Sequence, residues 1–301
     1  MITPEERLAR KGFIGSSDAP AICRVDPDKG PLAVYLEKVF DVEELPNKGP
    51  IARGNRWEST MLDWAREELG VEIERNVSVR HPDGIRAANL DGRVKGKRIG
   101  VEAKYTGLGH LFGEPGTDEI PEKVIVQATH QMYVADLELV YVPVLLARFN
   151  RPVEVMFQVP RNEDLIKSMV AIEQEFWEEN VLRGVPPPLD EGPPPLDVIK
   201  RIRRQPKSVA QIDPELVEAW EDMKLARKIA EDREEAAKAA VLAALGGSEA
   251  GEYGDPAKIL TYFRQTRTDL DSKALRAEHP EIFDLYQRST EFPVARIVKR
   301  K

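Results

Sequence analysis

Residues 90–105 read LDGRVKGKRIGVEAKY, and the alternation on either side of the glycine turn decides the fold. With Gly96-Lys97 as a two-residue turn carrying glycine in its first central position, Val94 pairs with Ile99, Gly92 with Val101 and Leu90 with Ala103 on one face. The other face then carries Arg93 with Gly100, Asp91 with Glu102, and Asn89 with Lys104. Side chains alternate with period 2 on each strand, so one register sorts apolar from polar on two independent segments. That register contains an electrostatic fault. Asp91 and Glu102 come within roughly 5 Å at Cβ, and like charges so placed destabilise a hairpin unless a cation lies between them. Lys104 supplies one positive charge; a divalent metal would supply the rest.

A third acid is expected nearby. On a helix spanning residues 54–69, Trp57, Met61, Leu62, Trp64, Ala65 and Leu69 fill one apolar arc at about 100° per residue, and Glu58 falls inside it. An interior carboxylate needs a partner, because an unpaired buried charge is costly. Glu58, Asp91 and Glu102 sharing one divalent ion meets that need, and all-oxygen ligation suits Mg²⁺ or Mn²⁺, as one ion or two. Such a site acidifies water and offsets charge on a phosphate oxygen, while Lys104 is placed to orient or deprotonate the attacking water. Phosphodiester hydrolysis is the reaction class. The helix PEKVIVQATHQMYVAD carries Gln127, His130 and Gln131 on one polar flank, where they are expected to reach water or phosphate. In RKGFIGSSDAPAI, Ser16, Ser17 and Asp18 precede a short helix, and the helix-start N–H groups, the serines and Arg10 are expected to form an anion pocket.

Around these motifs the order is helices, three strands (two of them the hairpin), the 121–135 helix, a strand pair (ELVYVPVLLARF and VEVMFQVP) and a long helix over 162–182. This order predicts an α/β sandwich with a mixed sheet flanked by helices. Residues 1–184 form the expected catalytic domain and 185–207 (from VPPPLDEGPPPLD into IKRIRRQPK) a proline-rich, basic linker. Residues 208–301 form an α+β extension built on a long charged helix, followed by a strand (ILTYFRQTR), a helix (SKALRAEHPEIFDLY) and a last strand (EFPVARIVKR). The chain of 301 residues has a net charge of −8, which argues against attachment to nucleic acid by bulk electrostatics but not against a metal-dependent nuclease. The amino terminus has no apolar signal region and no run approaches a membrane-spanning length, so the expectation is a cytoplasmic protein with no membrane partner. The sole cysteine, Cys23, excludes an intrachain disulfide and a cysteine-built zinc or iron–sulfur site within one chain.

Taken in order, GFIGSSDAPAICRVDPDKGPLAVYLEKVF, GNRWE, LDGRV, GVEAKY and VQATHQMYV resemble the motifs of the YqaJ-type viral recombinases, relatives of phage lambda exonuclease in the PD-(D/E)XK nuclease superfamily. The resemblance covers about residues 8–183. It implies a restriction-endonuclease-like core and a metal-dependent exonuclease that digests linear double-stranded DNA from 5′ ends, in the host cytoplasm if phage-encoded. The 3′ strands left behind would pass to a single-strand-annealing partner. By position, Asp91 and Glu102 would be metal ligands, Glu58 the helix acid, Lys104 the catalytic lysine and Gln127 the motif glutamine. Arg10 and Ser17 match positions that bind the terminal phosphate. Leu90 stands where the superfamily name has proline. The carboxy-terminal region is absent from the compact lambda-type enzyme, so homo-oligomerisation is open and that relative's toroidal trimer is not carried over. Two other classes compete: a structure-specific or CRISPR-associated nuclease on the same fold, and a non-catalytic DNA-binding or assembly module.

Overall fold

The computed structural model describes residues 10–43, 49–107, 111–147, 152–254, 258–289, 295 and 297. The chain divides into two compact units, Met1–Arg204 and Gln205–Lys301. The first holds a seven-stranded mixed sheet: β1 (Ile14–Gly15), β2 (Ile73–Arg80), β3 (Arg86–Val94), β4 (Ile99–Val101), β5 (Lys104–Thr106), β6 (Leu139–Ala147) and β7 (Pro152–Pro160). Its helices are α1 (Ala19–Ile22), α2 (Pro31–Val39), α3 (Gly49–Leu69), α4 (Glu122–Val134), α5 (Glu163–Glu175) and α6 (Leu196–Arg201). Strand β3 is the hub. It pairs antiparallel with β2 along nearly its whole length, parallel with β1 at its start and antiparallel with β4 near its end.

The hairpin keeps the register read from the sequence where it is paired, Gly92 with Val101 and Arg93 with Gly100. The turn is different. The Lys97 N–H donates to the Val94 carbonyl, so Lys95 and Gly96 are the central residues, and glycine occupies the second with φ +71°. The pairing also stops sooner than the alternation implies. Strand β4 ends at Val101, and the Glu102 N–H turns to the Tyr141 carbonyl of β6. Strand β5 then resumes beside the same neighbour with no slip: Val101 faces Tyr141 and Lys104 faces Val144, both parallel. Strands β4 and β5 are thus one strand interrupted at Glu102 and Ala103.

Packing brings α3 and α4 to this sheet. Val124, Ala128 and Met132 of α4 are buried with Leu90, Val140, Val142, Val144 and Phe157. Leu62 and Ala65 of α3 are buried with Val94 and Val101. Gly92 allows the close approach of α3: a Cβ there would lie 2.6 Å from Ile73 Cγ2 and 3.1 Å from Leu62 Cδ2. Asn162 caps α5, its side chain accepting from the Asp164 and Leu165 N–H groups, and the helix runs on into a π-helical turn, Phe176–Leu182, with Phe176 and Trp177 buried.

Residues 185–204, read from the sequence as linker, pack on the first unit. Val198 is buried with Ala33 and Val42, Arg201 donates to the Glu43 carbonyl at 2.6 Å, and Gly192 lies against Gly30 so closely that a Cβ would meet its Cα at 2.7 Å. Proline-rich composition signals an extended backbone, and here that backbone is docked. The second unit contains α7 (Pro214–Leu245), β8 (Ala250–Glu252) paired with β9 (Ile259–Thr261), α8 (Ser272–Glu278) and α9 (Pro280–Tyr286). The single helix expected over the last two breaks at His279, because Pro280 disfavours helical backbone in the residue before it. Most of the expected final strand, EFPVARIVKR, lies outside the described residues.

Adding bulk at Gly92 tests the helix approach. Gly92→Val should lower stability by about 1–3 kcal/mol in urea denaturation, the usual range for overpacking a tight core contact.

Candidate active site

The interruption after β4 creates the site. Freed from the ladder, the Ala103 N–H donates to Asp91 Oδ2 at 2.9 Å, tying the two arms of the hairpin through a carboxylate. Glu102 is 4% exposed and engaged on both oxygens. Its Oε1 accepts from Lys104 Nζ and Gln127 Nε2, each at 2.7 Å, and its Oε2 accepts from Gln131 Nε2 at 2.6 Å. Lys104 Nζ also donates to Gln127 Oε1 at 2.9 Å. Lysine, amide and carboxylate therefore close a triangle, in which two of the three ammonium N–H bonds are used. Gln131 aims its NH₂ at the carboxylate, and its Oε1 is buried without a hydrogen-bond partner among the described residues. The Gln131–Glu102 bond is charge-assisted and fixes that orientation, since a flipped amide would set oxygen against oxygen.

Three carboxylates interact here. Burial, then Glu102, then Glu58 push the Asp91 carboxyl well above its ordinary range, against the opposing pull of Lys104 and the Ala103 N–H. Burial and Glu102 likewise raise Glu58. Among the described residues no three His, Cys, Asp or Glu side chains are gathered into a set that could hold a metal ion as they stand. The acids are coupled through space without being converged. The donor chemistry still fits a hard divalent cation, because Glu58, Asp91 and Glu102 offer only oxygen ligands and the Asp91 carboxyl stays raised despite Lys104 and the Ala103 N–H.

A cleft of about 120 Å³ joins these acids to the amino-terminal motif; Arg10, Ser16 and Ser17 line it together with Asp91, Glu102 and Gln127. Asn89, two residues before Asp91, lines it as well and escaped the sequence reading, where it counted only as a hairpin partner. The helix-start pocket is not formed as expected. Helix α1 is four residues long, and Asp18 does not cap it. Asp18 instead accepts from the Gly15 N–H at 3.1 Å and from Lys38 Nζ at 2.7 Å, while Lys38 also donates to the Arg10 carbonyl at 2.9 Å. Burial opposes the Asp18 charge, but Lys38 and Lys29 outweigh it and hold the carboxyl well below the usual range. Asp18 and Lys38 thus brace the segment from which Arg10 reaches Ser17 Oγ at 3.3 Å. A wider groove of about 550 Å³, lined by Trp64, Tyr141, Val153 and Phe157 among others, contains none of the site residues.

His130 and Gln131, expected to reach DNA, are both 0% exposed. Gln131 is spent on Glu102. His130 Nδ1 meets Glu173 Oε1 at 2.7 Å and its Nε2 meets the Ala87 carbonyl at 3.1 Å, while Arg86 Nε donates to Glu173 Oε2 at 2.6 Å. Two acceptors facing two ring nitrogens require a proton on each. Burial and Arg86 would lower the His130 pKa, but Glu173 and the Ala87 carbonyl raise it overall. This buried cluster pins α4 to α5 and β3.

Residues 7–138 match the YqaJ-like viral recombinase domain. The uncharacterized protein YqaJ of Bacillus subtilis strain 168 is 26% identical over 300 residues, covering 97% of this chain and 93% of that protein. Among solved structures, LHK-Exo in complex with dAMP matches with TM-score 0.50 at 18% identity, over 60% of this chain and 94% of its own. LHK-Exo, described as an alkaline exonuclease from Laribacter hongkongensis, also matches with TM-score 0.49 at 17% identity and the same coverage. The match at TM-score 0.50 shows that the chain shares the fold of that structure.

Two stability experiments follow from the charges. At neutral pH and without metal, Asp91→Asn should leave the thermal midpoint unchanged or raise it, since it removes a repelled charge and retains an oxygen for the Ala103 N–H; a large drop would contradict the repulsion. For His130 the sign is opposite. Its raised pKa contributes stability that is full below the ordinary value of about 6.5 and is lost as pH climbs through the folded value. The midpoint lost in His130→Gln should therefore be larger near about pH 6 than near about pH 9.

Proposed function

We propose, for a chain whose residues 7–138 match the YqaJ-like viral recombinase domain, a metal-dependent DNA exonuclease that cuts linear duplex from its 5′ ends. The observation that carries this reading is the single cleft in which Arg10, Ser16 and Ser17 face Asp91, Glu102 and Gln127. A group that grips an anion and a group that hydrolyses a phosphodiester then lie a short reach apart, which suits a strand end better than a continuous duplex. In this reading Asp91, Glu102 and Glu58 hold Mg²⁺ or Mn²⁺, which when bound supplies an acidified water and offsets charge on the phosphate.

The chain's own residues do the rest. Lys104, donating to Glu102 and Gln127, keeps one N–H bond for the attacking water or a phosphate oxygen. Donating to both, the Lys104 ammonium is placed to orient the attacking water and to compensate phosphate charge. Gln127 fixes the lysine and the carboxylate at once, and Gln131 prevents Glu102 from rotating. Arg10 and Ser17 seat the terminal 5′-phosphate, with Asp18 and Lys38 bracing the loop behind them. The dAMP complex of LHK-Exo agrees with the nuclease reading, since a nucleoside monophosphate is what an exonuclease releases. A single-strand-annealing protein is the partner that would use the exposed 3′ strand.

The test uses linear duplex with or without a 5′-phosphate, and a closed circle, in Mg²⁺ or Mn²⁺. Linear DNA should be digested, fastest with the phosphate, and the circle spared. Asp91→Ala and Lys104→Ala should each lower the rate by at least about a hundredfold. Arg10→Ala should chiefly remove the advantage of the phosphorylated end. Nicking of the circle would move the reading to an endonuclease, and no cleavage with either metal would overturn it.

A further inference from the structure

Next to the acids stands an aromatic pair that the proposed chemistry leaves unused. Trp57 precedes Glu58 on α3, and Tyr105 follows Lys104 on β5. Their ring centroids are 6.4 Å apart and their planes differ by 4°. Parallel rings in full overlap sit at van der Waals spacing, about 3.5–4 Å. At 6.4 Å the parallel rings are not in close face-to-face contact, and both are partly exposed, which leaves part of each open to a third flat ring. The arrangement is not ordinary core. Met61, Leu62 and Ala65, further along the same apolar arc, are buried, whereas Trp57 is 38% exposed and Tyr105 is partly exposed. Arg53, one turn before Trp57, and Arg56 are exposed on the same helix. Parallel aromatic faces beside basic side chains are the combination that holds single-stranded nucleic acid, the bases stacking and the cations meeting phosphates.

We infer that Trp57 and Tyr105 form a stacking site for a nucleobase unpaired at the end of the duplex, beside the bond to be cut. This rests on the nuclease reading above. Bringing a terminal phosphodiester to the acids requires its base to leave the helical stack, and contact with two aromatic faces offsets the cost of unpairing. Because every base has a flat π face, the site takes any base, so it selects for strand ends that open rather than for sequence.

The experiment uses a 5′-phosphorylated duplex with 2-aminopurine as its 5′-terminal or second base, in Ca²⁺ in place of Mg²⁺ to prevent cutting. In the complex with the wild-type chain 2-aminopurine emission should stay quenched, since the base exchanges stacking in the helix for stacking on the rings, whereas a base extruded without an aromatic partner brightens. Trp57→Ala and Tyr105→Ala should each abolish the quench and weaken end binding about tenfold, while Trp57→Phe, which keeps a ring, should retain both. In Mg²⁺ the two alanine variants should lose more rate on fully paired ends than on ends carrying terminal mismatches, which are already open. A wild-type protein that cleaves linear duplex but brightens 2-aminopurine on binding, or a quench unchanged in both alanine variants, overturns the stacking site and leaves the nuclease standing. A wild-type protein that neither binds nor cleaves any DNA removes both.

Discussion

The mutual repulsion of Glu58, Asp91 and Glu102 is the constraint around which the first unit is arranged. Carboxylates brought together under cover tend to take up protons or move apart; the raised Asp91 and Glu58 carboxyls show the first tendency, and the surrounding hydrogen bonds oppose the second. Lys104, Gln127 and Gln131 hold Glu102 from three directions, and a backbone N–H holds Asp91. The helices supplying these groups are themselves anchored. Gly92 lets α3 come close enough for Glu58 to feel Glu102, and the Arg86, Glu173 and His130 cluster holds α4, with its two glutamines, against β3 and α5. Removing one partner from such a buried ionic cluster typically costs about 3–5 kcal/mol, far more than a surface pair, so the anchor is stiff where the site most needs it.

Much of this was legible from local pattern. The hairpin register follows from period-2 alternation on two strands, and both paired positions in the structure agree with it. The helix opened by Pro121, the start of a long helix near Asn162 and the strand pair β6–β7 were likewise visible, each carried by pattern within a few residues. What was hidden depends on distant partners. His130 looked like a surface histidine because its carboxylate, Glu173, lies 43 positions away, and no helical periodicity announces a salt bridge between helices. The break at Glu102 was hidden because β4 and β5 both read as good strand; toward β3 the Ala103 N–H bonds the Asp91 carboxylate in place of a backbone carbonyl, a side-chain partner that alternation does not announce.

The second unit follows a different logic. Helix α7 spans 32 residues and buries none of them, though Leu216, Trp220, Met223 and Ile229 are apolar and exposed. Its sequence is rich in Ala, Glu, Lys and Arg, so intrinsic propensity and an i,i+4 pair such as Arg227 with Glu231 sustain the helix where packing does not. Asp213 caps it by accepting from the Glu215 N–H, with Pro214 opening the first turn.

The strand that breaks at Glu102 and resumes at Lys104 does so without changing register along β6. A bulge that shifted the count by one would have turned every later side chain to the opposite face, and the core would have had to be rebuilt around it. Here the irregularity is self-contained. Chemistry and architecture are therefore separable at this point in the chain: the two residues in the gap are free to diverge for a different reaction while the strand on either side continues to build the same sheet.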